Sequence, residues 1–143
     1  VAKLSLILAH VRPDLDSANL EPELIAFVAR AQKAWPTVVL DEARFMAHVA
    51  ERLPNGGDLR TALERLSAEG LYLACACAAA NPAALERFDR ELLAGIDVVV
   101  ARFDRSPDFI DEVRQRLRER VLVGPRPRIN DYSGSGPLSA WLR

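Results

Sequence analysis

The side chains of this sequence with the means to do chemistry are two histidines, two cysteines and a run of arginines. His10 and His48 lie far apart, and neither sits in a metal-ligand motif. Each reads as an ordinary surface or half-buried residue. Cys75 and Cys77 are two positions apart in an apolar run, and helix residues two apart point to nearly opposite sides, so they cannot pinch a metal. They read as small core residues of a reducing compartment. Gly134-Ser135-Gly136 lacks both the preceding hydrophobic strand and the patterns of a phosphate loop or nucleophile elbow. Asp111 and Glu112 are adjacent, and adjacent helical residues do not face one another, so shared acid-base work is not expected. No catalytic centre emerges; the chain reads as non-enzymatic, with no metal and no cofactor.

What remains is charge. Arg114, Arg116, Arg118 and Arg120 alternate with Gln115, Leu117 and Glu119, and Arg126 and Arg128 extend the basic stretch. A helix distributes those arginines around much of its circumference while Leu117 stays inward. Such a run is either a solvated face or a docking face. The whole chain gives no further hint, because 19 basic residues balance 20 acidic ones and no global field announces a nucleic-acid partner.

These residues are carried by elements of helical periodicity. Half of the 143 residues are hydrophobic, enough for a core without disulfide or metal staples. Leu4, Leu6 and Leu8 alternate briefly like a strand, yet Leu4, Leu8 and Val11 also define one helix face, and helix is the reading adopted. Pro22 opens a helix with Leu24, Val28 and Ala31 inward, closing near Trp35-Pro36. Asp41 caps a second run through Phe45, Val49 and Leu53, stopped by Pro54-Asn55-Gly56-Gly57. Asp58 begins a short helix carrying Leu59, Leu63 and Leu66. The apolar stretch Leu71 to Ala80 has no β-branched residue and much alanine, so it predicts a buried central helix rather than a strand. Asn81-Pro82 then starts the longest expected helix, with Leu85, Phe88, Leu92, Ile96, Val99 and Phe103 inward. Ser106-Pro107-Asp108 starts its partner, with Ile110, Val113, Leu117 and Val121 inward, and Gly124-Pro125 ends it. A polar loop follows, and Pro137 opens a last helix that runs out at Arg143. The expected architecture is all-α, a helical bundle with a helical hairpin in its C-terminal half. No fixed-period repeat indicates a solenoid.

The segment from Asn81 to Arg143 resembles region two of the extracytoplasmic-function class of sigma factors, dissociable subunits that direct bacterial RNA polymerase to promoters. Asn81-Pro82-Ala83-Ala84-Leu85 with Phe88 and Leu92 looks like the family's first helix. Asp111-x-Val113-x-Gln115-x-Leu117 is similar to the acidic-Val-Gln pattern of the next helix, which in such factors docks on a coiled coil of the polymerase β′ clamp. Tyr132, Gly136 and Leu138-Ser139-Ala140-Trp141-Leu142-Arg143 look like the loop and Ala-Trp-Leu signature leading into promoter recognition. Leu117 and Val121 stand where the family often has aromatic residues. The first 80 residues resemble the helical N-terminal extension of a less common subgroup, on Ala34-Trp35-Pro36, Phe45, His48, Arg52-Leu53-Pro54 and the Leu71 to Cys77 run.

The resemblance implies two parts, an extension over 1–80 and a region-two-like segment over 81–143. It implies core RNA polymerase as partner, through the β′ clamp coiled coil, with Asp111, Arg114, Gln115 and Arg118 on the outer side of the 107–121 helix as docking residues. Reversing Arg118 and replacing Gln115 is then expected to abolish clamp capture with helicity intact. Promoter DNA is expected as a partner only of a chain continuing past residue 143, so the sequence reads as the docking half of a longer factor. The extension is a candidate cover for the docking face. With no apolar stretch of membrane-spanning length and no signal-peptide layout in Val1–Val11, the expected compartment is the cytoplasm. A rival reading is a helical adaptor that uses the same hairpin on another protein.

Overall fold

A computed structural model describes residues 4–17 and 19–142. In chain order the elements are α1 (Leu4–Val11), α2 (Glu21–Ala34), α3 (Glu42–Glu51), α4 (Leu59–Arg65), α5 (Ala68–Ala78), α6 (Pro82–Phe88), a π-helical turn (Asp89–Leu93), α7 (Ala94–Val100), α8 (Pro107–Leu122), a 3-10 turn (Arg128–Asp131) and α9 (Leu138–Trp141). Among the described residues there is no β-strand. The sole strand-like pairing among them is an isolated antiparallel bridge between Leu66 and Ser135. The fold is an all-α bundle.

Helix α5 is the centre, as its apolar composition on every side requires. Every residue from Gly70 to Cys77 is buried. Its start is fixed by Ser67, whose hydroxyl accepts the Gly70 amide at 3.1 Å. Against it lies α2 through Leu24, Phe27, Val28 and Ala31. Phe27 stacks on Phe45 of α3 at 6.0 Å, and Phe45 meets the Tyr72 ring edge-on at 5.0 Å. The Tyr72 hydroxyl donates to the Val38 carbonyl at 3.0 Å, so the one polar atom of this aromatic cluster is satisfied. Helix α1 packs on α3 with Leu4 and Leu8 buried. Arg12, just past its end, donates to the carbonyls of Ala50 (3.0 Å) and Leu53 (2.6 Å), closing the C-terminus of α3 with a cation.

The expected starts at Asp41, Asn81 and Ser106 are all made by side-chain caps: Asp41 accepts from Arg44, Asn81 from Ala83 and Ala84, and Ser106 from Phe109. Two expectations fail. Leu66 was placed inside the α4 helix but is extended, pairing with Ser135. The inward stripe expected through Leu85, Phe88, Leu92, Ile96, Val99 and Phe103 holds only in its first part: Phe88 is buried and Leu85 and Leu92 pack partly on the core, but the other fully buried residues of the rod are Ala84 and Leu93, and Val99 and Phe103 are exposed. The π turn explains the change, because its wider winding places a residue five positions after Phe88 on the inward face. Beyond that turn the rod leaves the core. Helix α7 buries none of its residues, and Phe103 is 84% exposed.

One hydrophobic cluster crosses the expected boundary at residue 80. It joins α5 to Ala84, Phe88 and Leu93 of the rod, to Val121 of α8, and to Ile129, Tyr132 and Leu138.

Candidate docking surface

Helices α7 and α8 form a hairpin that projects from the body, and the geometry of α8 decides which of its side chains are free. Its partly or fully buried positions are 110, 113, 114, 117, 118, 121 and 122, while 111, 112, 115, 116, 119 and 120 are exposed. Leu117 and Val121 anchor the C-terminal half of α8 to the core. Arg114 and Arg118, one turn apart, flank this inward stripe.

Both arginines are committed to the hairpin itself. Arg118 donates to Asp89 of the π turn from Nε (3.0 Å) and Nη2 (2.8 Å), and its Nη1 donates to Gln115 at 2.6 Å. Arg114 pairs with Asp97 of α7. The expectation that Arg114 and Arg118 stand free on the outer side is therefore corrected: they zip α8 to the preceding rod. Asp111 and Gln115 do lie on the open side, where the Gln115 amide donates to Glu119 at 3.1 Å. Arg116 pairs with Glu112 one turn away at 2.8 Å, both well exposed.

Asp89 and Asp97 were missed from sequence. The signal was present, since two carboxylates eight residues apart share one helix face, as do two arginines four apart, and an antiparallel hairpin brings the two sets together. What could not be read was the register. Nor do the described residues of the N-terminal part cover the outer side of α8, whose positions 111, 112, 115, 116, 119 and 120 are exposed. The expectation of a covering extension is not met.

Where α8 meets the C-terminal segment, an open groove of about 510 Å³ is lined by Leu117, Arg120, Arg128, Asp131, Trp141 and Leu142. Trp141 packs against the Tyr132 ring at 6.1 Å. Tyr132 is buried and donates to the Gly136 carbonyl. Arg52 of the first half holds this loop in place, donating to the carbonyls of Tyr132 (3.0 Å), Asn130 and His48 (2.8 Å).

The remaining reactive groups are quiet. Burial pushes the Cys75 thiol up to about 11 and Cys77 to about 12, so neither offers a thiolate near neutrality. Burial, reinforced by the Arg52 and Arg44 charges, pushes His48 down to about 3. Among the described residues no group of His, Cys, Asp and Glu is arranged to hold a metal ion.

Comparison with family models, with curated proteins and with solved structures finds no match to the chain. Its residues alone must therefore support any functional reading. No helix among the described residues is long and apolar enough to cross a membrane.

Proposed function

We propose that the chain is a sigma-type transcription initiation subunit, or a fragment of one, that docks on core RNA polymerase through the open side of α8. The observation supporting this reading is the projecting hairpin. Its helix with the Asp111-x-Val113-x-Gln115-x-Leu117 pattern keeps Leu117 on the core while Asp111 and Gln115 face outward. The Tyr132 and Trp141 segment that resembles the promoter-proximal signature is ordered against the same body. Binding rests on Asp111 and Gln115, with Arg114 and Arg118 setting the pose of the helix that presents them. On this reading the protein works in the cytoplasm without catalysing a reaction.

The test is capture of a β′ clamp coiled-coil fragment by the chain. Replacing Asp111 with Arg and Gln115 with Ala is expected to weaken capture by about 2 kcal/mol or more while circular dichroism is unchanged. Capture that persists at wild-type strength rejects the face. A second reading, an adaptor for a different protein, draws on the exposed Val98 and Phe103 of the hairpin. It predicts no clamp capture at all, with or without the substitutions.

A further inference from the structure

The side of α7 that faces away from α8 is an exposed apolar stripe, and its residues are arranged to fit a second copy of themselves. Val98 is 64% exposed and Val99 38%, and Ala94 and Gly95 are exposed one turn before them. A Cβ placed on Gly95 would meet no atom within 4 Å, so nothing among the described residues fills the space above it. Glu91 lies at one end of this stripe, half-exposed and paired with Arg87 one turn before it at 2.9 Å, so that an arginine of a second copy would share its carboxylate. Arg102, exposed, lies at the other, and its side chain makes no hydrogen bond or ion pair among the described residues.

Gly95 and Val98 share one face of α7, and Glu91 in the π turn before it and Arg102 in the turn after it stand four positions from them and bracket that face. The order along that face is acid, small, large, base. Turning a second copy end for end about an axis between residues 96 and 97 sets residue 91 level with 102, 94 with 99 and 95 with 98. Each valine then meets a glycine or alanine, letting the two backbones approach closely, and each arginine meets a glutamate. Because a two-fold axis repeats every contact, each ion pair and each Val–Gly fit occurs twice. In the parallel arrangement like would face like, with glutamate against glutamate and arginine against arginine.

We infer that the outer face of α7 (Ala94, Gly95, Val98 and Val99), bracketed by Glu91 and Arg102, is a self-association surface that pairs two copies of the chain antiparallel about a two-fold axis. The face is about three turns long, less than the roughly 800 Å² per partner of a standard stable interface, so the dimer is weak and concentration-dependent. It lies opposite the side of α7 that packs on α8, so the open side of α8 stays free in the dimer. Phe103, 84% exposed, comes level with Arg90 of the second copy at each end and extends the contact.

Sedimentation equilibrium of the whole chain over a concentration series tests this, with circular dichroism checking that each variant keeps its helicity. The wild type is expected to show a monomer–dimer equilibrium. Val98→Glu is expected to leave a monomer, and Arg102→Glu or Glu91→Arg to raise the dissociation constant about tenfold or more, each change being felt twice. The double variant Glu91→Arg with Arg102→Glu restores the ion pairs in the antiparallel register and is expected to recover dimerisation. A chain that stays monomeric up to about millimolar concentration overturns the inference, as does a dimer indifferent to Val98→Glu. Loss in both single charge variants without recovery in the double variant also overturns it.

Discussion

His48 carries its imidazole into the body of the protein with Nε2 unpaired, and burial beside Arg44 and Arg52 makes its charged form costly. Its folded value of about 3 lies below the 6.5 of an unfolded histidine. The unfolded chain thus binds the extra proton first as pH falls. Stability from this residue is full above pH 6.5 and is lost on descending toward pH 3, by up to about 1.4 kcal/mol per pH unit. Thermal melting between pH 7 and 5, above the range where carboxylates dominate, is expected to show this slope, and His48→Gln is expected to flatten it. The two cysteines give a second check, since both should resist a thiol reagent in the folded protein at pH 8 and react once denaturant is added. A glycine gives a third. Gly134 has φ +87°, and a Cβ there would come within 2.8 Å of Leu71 Cδ1, so Gly134→Ala is expected to destabilise by about 1–3 kcal/mol in a denaturant titration.

At the scale of elements, the α7–α8 hairpin depends on few attachments. It is tied by the Arg114–Asp97 and Arg118–Asp89 pairs and by the aliphatic stripe of α8, with Val121 its one buried residue. The pairs are about a third exposed on the arginine side, so each contributes on the order of 0.2–1 kcal/mol. Arg118→Glu should therefore not unfold the protein. It is expected to speed hydrogen exchange over α7 and α8 while α2, α3 and α5 keep their protection, and adding Asp89→Arg should restore most of the loss. Uniform exchange across all helices in Arg118→Glu would show that the hairpin is not the weakly held unit the ion pairs imply.

Across the whole molecule the two halves are joined by a shared core and by one cation. Arg52 gathers carbonyls from His48, Asn130 and Tyr132, bridging 80 residues of sequence. Arg52→Ala is expected to cost about 2–4 kcal/mol, because charge-assisted bonds are lost and the part-buried carbonyls of His48 and Tyr132 lose this donor. Removing residues 1 to 68 is expected to lower the melting temperature sharply, since Ala84, Phe88, Ile129, Tyr132 and Leu138 all belong to the cluster centred on α5. The amino-acid order was enough to determine the all-α class, the buried centre over 71–77 and the starts at Asp41, Asn81 and Ser106. Those features are local: a cap is two or three residues, and an apolar segment with no polar side has nowhere to go but inside. The π turn, the inward stripe of the rod and the partners of Arg114 and Arg118 could not be found that way. Each depends on how two helices are placed side by side, and a hairpin register is set by packing between residues 17 and 29 positions apart, beyond the reach of any short pattern.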